Sequence, residues 1–224
     1  MRIVAVADTH TFEEDLQVPN GDVFIHAGDL LRAGTLEELI LPARWLQSLP
    51  HRHKIVVAGN HDRCFERNAE RAQAMLGDGI HYLQDSGVVI EGLRIWGSPW
   101  QPEFNDWAFN LPRGEALARK WALIPDDTDV LVTHGPPAGF GDRAYDDRGL
   151  GCQDLLDAVR RVRPLLHVYG HVHPGGGCWR DGDSWLSNVT VWECDRPASI
   201  FDYDPATRVV TPVFIPPAEY DATR

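Results

Sequence analysis

The chain has 224 residues, 43% hydrophobic and 24% charged, enough for a sizeable core in one large domain or two small ones, and unlike a disordered tail or a disulfide-stapled mini-protein. Its net charge of −12 sets up a field that repels duplex nucleic acid and anionic membranes, so stable binding to either is not expected. Cys64, Cys152, Cys178 and Cys194 lie far apart without Cys-x-x-Cys spacing, which argues against a thiolate zinc site and a dense disulfide framework.

In chain order, short β-branched runs alternate with helical patterns. The apolar runs are Ile3–Ala7, Val23–His26, Lys54–Ala58, Val130–Thr133 and Leu165–Tyr169, the pattern of strands covered on both faces. Thr35 predicts an N-cap for a helix over Leu36–Leu49, with Glu38 closing a capping box and Pro50 stopping it. Further helices are predicted over Arg67–Leu76, Gly114–Leu123 and Gln153–Val162. A second group of strands, Val88–Ile90, Leu93–Trp96, Trp185–Val189, Ile200–Tyr203 and Val209–Phe214, suggests a second sheet or mixed sheet edges. The expected fold is α/β, a two-sheet β sandwich flanked by helices in four layers, with a single domain over 1–215 and a C-terminal tail over 216–224. Met1–Ala7 is too short for a signal peptide, and no apolar stretch approaches the roughly 18 residues of a membrane span. A cytoplasmic protein, monomeric or homodimeric, is expected.

The five buried runs all end in potential ligands: Asp8-Thr9-His10, Gly28-Asp29, Gly59-Asn60-His61-Asp62, His134-Gly135 and Gly170-His171-Val172-His173. One strand-end carboxylate is explained as a helix N-cap, but imidazoles at the same level of three further strands are not. Open α/β sheets gather ligands at the carboxyl ends of their strands. The i, i+2 spacing of Asp8/His10 and of His171/His173 puts each pair on one face of an extended segment. Gly28, Gly59 and Gly170 each precede a ligand, where backbone must turn and approach an ion closely.

These blocks resemble the ordered signature of the calcineurin-like metallophosphoesterases: D-x-H, G-D, G-N-H-[DE], a lone H, then G-H-x-H. The segments Gly97–Pro102, Leu111–Gly114 and Thr133–Pro137 are similar to those of the compact subgroup of metallophosphoesterase domain-containing proteins. The resemblance implies that Asp8, His10, Asp29 and His173 hold one metal and Asp29, Asn60, His134 and His171 the other, with Asp29 bridging. It also implies that His61 is a general acid for the leaving group and that Asp62 orients its imidazole. Two divalent ions are expected, Mn²⁺ first with Fe, Co²⁺, Ni²⁺ or Zn²⁺ as alternatives, all in preference to Mg²⁺ and Ca²⁺, whose sites are oxygen-only. The implied chemistry is hydrolysis of a phosphoester by a metal-activated hydroxide.

A small phosphodiester such as a cyclic nucleotide is the first-choice substrate. Phosphomonoesters, including phosphoproteins, come second, and a non-catalytic nucleotide-binding module third. The aromatic connection Trp100–Asn110 offers Trp100 and Trp107 as a wall on which a base or aryl group could stack, or as simple packing. His26 and His167 read as buried, hydrogen-bonded neutral imidazoles, and His51, His53 and His81 as loop surface. Arg63 reads equally as a phosphate contact or a solvated side chain.

Overall fold

A computed structural model describes residues 1–217. The tail expected over 216–224 therefore lies, beyond Pro217, outside the described residues. The strands are β1 (Arg2–Val6), β2 (Val23–Ala27), β3 (His53–Val57), β4 (Ile80–Tyr82), β5 (Ser86–Ile90), β6 (Leu93–Ser98), β7 (Gln101–Pro102), β8 (Asn110–Leu111), β9 (Val130–Thr133), β10 (Leu166–Tyr169), β11 (Gly177–Asp181), β12 (Ser184–Asn188), β13 (Ser199–Asp204) and β14 (Val209–Phe214). The helices are α1 (Ile40–Ser48), α2 (Arg63–Arg67), α3 (Ala69–Leu76), α4 (Glu115–Trp121) and α5 (Gln153–Val162).

Two six-stranded sheets form, in the orders β14-β13-β1-β2-β3-β4 and β11-β12-β10-β9-β6-β5. The second has a parallel core with antiparallel pairs at both edges, whereas the first is antiparallel only at its β14-β13-β1 side and runs parallel from β1 to its other edge, β4. The fully apolar runs are the parallel strands, since both faces of each are covered. Alternation sorts them: Ile3, Ala5, Ile25 and Ile55 meet Ile95, Val130, Val132 and Val168 between the sheets. Val4, Val6, Phe24 and Val56 face outward onto Ala43 and Leu46 of α1, Phe65 of α2 and Leu76 of α3. On the other side Leu131, Tyr169 and Leu186 pack against α4 and α5 through Trp121, Leu155 and Val159. The four-layer sandwich is as expected, but the two groups of strands do not sort into one sheet each. Three of the buried runs enter the first sheet and two the second, and the less apolar strands serve as margins of both.

Two helices depart from the sequence reading. Residues 36–39 form turns and α1 begins only at Ile40. The Thr35 hydroxyl does accept the Glu38 N–H at 3.1 Å, but the Glu38 carboxylate turns to the N–H groups of Arg32, Ala33 and Gly34 instead of closing the box. Pro42, without an N–H, fits only the first turn of a helix, which fixes where α1 can start. The pattern over Arg67–Leu76 is split at Asn68, whose backbone (φ −136°, ψ 44°) separates α2 from α3.

Candidate metal centre

Every cluster residue sits just past the carboxyl end of a parallel strand. Beyond β1, Ala7 pairs with Thr190 at the end of the second sheet, so the two sheets are tied together where their ligands emerge. Asp8, His10, Asp29 and His171 all have positive φ, between 47° and 68°. Such backbone is strained by about 1 kcal/mol or more per non-glycine residue and concentrates at functional sites. Gly28 (φ +99°) and Gly59 make room: a Cβ at the first would lie 2.4 Å from His134 Nδ1, and at the second 2.2 Å from Asp29 Oδ1.

The side chains converge. Asp29 Oδ2 lies 3.7 Å from His10 Nε2 and 3.3 Å from His134 Nε2, so one carboxylate oxygen faces imidazoles on two sides. Asn60 Oδ1 is 3.0 Å from His134 Nε2, and His173 Nε2 is 3.8 Å from Asp8 Oδ1. Donor atoms lie within 4.8 Å of one another in three sets: Asp8, His10 and His173; His10, Asp29 and His61; and Asp29, His134 and His171. The other ring nitrogens meet backbone carbonyls, His10 Nδ1 that of Leu31 at 3.1 Å and His134 Nδ1 that of Ala27 at 3.0 Å. That arrangement fixes the rings and leaves each Nε2 for a cation. The Asp8 carboxylate also accepts the His171 N–H, joining the first and last blocks.

The electrostatics agree with ligation. Burial, the main cause, lowers the His10 pKa and takes His171 down to about 4, so both are neutral at pH 7 with lone pairs available. Burial opposes charge on His134 too, but Asp29 outweighs it and raises that imidazole to about 9. Burial likewise opposes ionisation of Asp29, yet His134, then His10 and His61, hold its carboxyl well below the usual range. A carboxylate, an amide oxygen and an imidazole packed this closely demand a cation among them, a proton or a metal ion. Oxygen and imidazole donors suit a divalent transition ion better than Mg²⁺ or Ca²⁺.

Not every expected residue takes its expected place. The Asp62 carboxylate does not contact the His61 ring; it accepts the N–H groups of Gly59 (2.7 Å), Leu31 (2.9 Å) and Leu30 (3.3 Å). It therefore clamps the backbone beside Asp29, and burial followed by Asp29 pushes its pKa up to about 7 against those hydrogen bonds. The Arg32 carbonyl instead holds His61 Nδ1, at 2.7 Å. Trp100 is not brought to the cluster: its indole N–H donates to Asp85 at 2.8 Å and Lys120 lies 4.1 Å over its ring. Trp107 is, its ring tilted at 35° against that of His61 with centroids 4.0 Å apart.

The remaining histidines divide. His26 and His167 are fully buried on β2 and β10, hydrogen-bonded to the hydroxyls of Thr9 and Thr133, and burial takes both down to about 3. His51, read as surface, is only 2% exposed; its Nε2 bonds the Pro19 carbonyl and its ring covers Phe24. His53 and His81 are half-buried on β3 and β4. Sequence reasoning missed Phe104, 48% exposed with its ring 6.4 Å from that of His171; its only signal was its place in the aromatic connection.

Carboxylate and imidazole donors gathered at strand ends of a four-layer αββα fold define the class: a protein built around a candidate metal centre. Residues 1–175 match the family model of calcineurin-like phosphoesterases. The chain is 45% identical over 215 residues to metallophosphoesterase domain-containing protein 1 of Homo sapiens, covering 85% of this chain but 66% of that protein, just under two thirds. It is 39% identical over 209 residues to a UPF0046 protein of Caenorhabditis elegans, covering 88% and 71% respectively. The crystal structure of TT1561 of Thermus thermophilus shares the fold, with a TM-score of 0.62 at 16% identity, covering 94% of this chain and 96% of that one. This chain belongs to the calcineurin-like phosphoesterase family, whose members use divalent metal ions.

Proposed function

We propose that the protein is a metal-dependent phosphoric ester hydrolase acting on small phosphodiesters, with nucleotides, cyclic ones included, as the leading substrate class. The observation that carries this reading is the double approach to Asp29 Oδ2, with His10 on one side and His134 on the other. One carboxylate oxygen so placed is suited to bridge two ions. Asp8, His10, Asp29 and His173 would hold one ion, and Asp29, Asn60, His134 and His171 the other. Divalent ions bound there supply Lewis acidity, polarising phosphoryl oxygens and acidifying water.

The chain's own groups account for the rest. Asp8 and Asp29 contribute −2, and ligating imidazoles, His134 included once a metal displaces its proton, would be neutral, so two divalent ions would leave a local excess of positive charge that attracts phosphate despite the net −12 of the chain. His61, held through Nδ1 by the Arg32 carbonyl, has a ring nitrogen within 4.8 Å of donor atoms of His10 and Asp29 and would protonate a leaving oxygen; such help contributes roughly 10²–10⁴-fold. Phe104 gives the rim an exposed ring beside His171 for a base or aryl group, a feature a diester with two substituents can use. Asp62 keeps the Leu30–Leu31 backbone against the cluster.

Hydrolysis of bis(p-nitrophenyl) phosphate and p-nitrophenyl phosphate by metal-stripped protein, before and after adding Mn²⁺, tests the reading. Metal-dependent turnover favouring the diester is expected. Monoester preference would make the protein a phosphatase. Protection from heat by nucleotide without turnover under any divalent ion would make it a binding module.

A further inference from the structure

We infer that Trp107 is a positioning residue for His61 and not a surface on which substrate stacks. The inference rests on His61 being the proton donor of the proposed reaction. The two rings meet at 4.0 Å between centroids and 35° between planes, a close, tilted contact along the imidazole. The other constraints on His61 act at single points. Its Nδ1 is tied to the Arg32 carbonyl, its backbone N–H to Asp29 Oδ1 at 2.8 Å, and its ring meets that of His10 at 4.7 Å, nearly perpendicular. A hydrogen bond through Nδ1 leaves the imidazole free to swing about that contact; a close ring contact against it removes this freedom.

Trp107 is itself held by the block that carries the ligands. The Arg63 guanidinium lies 5.0 Å from the indole and donates to the Asp106 carbonyl. The Ala108 N–H donates to the Asn60 carbonyl at 3.1 Å, and the Phe109 N–H to Glu66 Oε1 at 2.7 Å. Residues 106–109 are thus stitched onto 60–66, and the ring that steadies His61 moves with Asn60. With His61 against the ring and the Arg63 guanidinium also over it, the indole is engaged by the chain's own groups. Receiving a base falls to Phe104.

The consequence is a split between kinetic constants. Freeing the His61 ring removes productive orientation without touching substrate or metal ligands, and misplacement of a catalytic group by about 1 Å can cost up to about 100-fold. On a diester with an alkoxide leaving group, Trp107→Ala is expected to lower kcat by about tenfold or more with KM unchanged, since proton donation limits that step. On a nitrophenyl ester, whose leaving group needs little protonation, kcat should fall less than about twofold, and Trp107→Phe should restore most of the loss. Independently of turnover, the His61 ring protons, assigned by their disappearance in His61→Asn, should be shifted by the indole ring current and should move in Trp107→Ala. Equal losses on both esters, or a KM rise with the His61 resonances unmoved, would overturn the inference in favour of a substrate wall. If the metal-loaded wild type cleaves no ester, the proposed function has failed, and the resonances alone decide whether Trp107 positions His61.

Discussion

The inner part of the cluster and its rim are built differently. Asp8, Asp29, Asn60 and His134 are no more than 2% exposed, emerge from the ends of packed parallel strands, and Asp29 and Asn60 both converge on the His134 ring, one as a charge and one as an amide oxygen. His61, Trp107, Arg63 and Phe104 are more open and are held by ring contacts and single hydrogen bonds from a connection and a short helix. The inner groups depend on mutual charge balance, so losing one leaves the others buried and unpaired. Rim groups can be lost one at a time. The inner part should therefore fail as a whole, while the rim fails selectively by step and by substrate.

The largest effect should come from the inner part. Asp29→Ala removes the one carboxylate facing both imidazoles, and activity should fall by well over the 10- to 100-fold typical of groups outside the first ligand shell; metal analysis of the purified variant checks that the loss tracks metal content. Next, His61→Asn should retain bound metal yet lose about 10²–10⁴-fold on an alkyl diester and far less on a nitrophenyl diester, a contrast that steady-state kinetics would reveal. At the outer rim, Phe104→Ala should raise KM for nucleotide or aryl diesters by about fivefold or more, the equivalent of about 1 kcal/mol of stacking, with kcat maintained. An unchanged KM would remove Phe104 from substrate binding.

The two tryptophans of the aromatic connection sharpen the contrast further. Trp107 meets His61, whereas Trp100 is part of a scaffold network in which Asp85 accepts from Ser98, Trp100 and Lys120 at 2.7–2.8 Å. Asp85→Asn should lower stability by about 1–2 kcal/mol in urea denaturation, with kcat per folded molecule unaltered. The smallest effect concerns pH. Burial holds His167 at about 3 in the fold against an ordinary 6.5, so below pH 6.5 the unfolded chain takes up a proton that the folded chain refuses. Its contribution to stability is full above 6.5 and lost progressively toward pH 3. The difference in Tm between pH 7.5 and 5.5 should therefore shrink in His167→Gln.

What was legible in the sequence was local. A β-branched run, a glycine and a carboxylate or imidazole adjoin in the chain, so the five strand ends and the residues brought to the cluster could be read directly. Pairings between distant segments were not. Asp62 bonding the Leu30–Leu31 backbone, the Arg32 carbonyl replacing it on His61, and Trp107 reaching His61 from a separate connection leave no periodic trace. His51 looked like loop surface because burial of a single imidazole over Phe24 depends on how the loop after α1 folds back. The start of α1 differs because Pro42 confines it to the turn before that residue, a constraint the sequence carried but the Thr35/Glu38 pattern masked, while the Glu38 carboxylate meets the Arg32–Gly34 N–H groups, a contact only the folded loop creates.

The most direct test of the central claim, that Asp29 joins two ion sites, is metal stoichiometry in wild type and Asp29→Asn after loading stripped protein with Mn²⁺. The account predicts two ions per chain in the wild type and tight retention of neither in the variant, with diester hydrolysis falling in parallel. A wild type that holds a single ion, or a variant that still holds two and still hydrolyses, would contradict it.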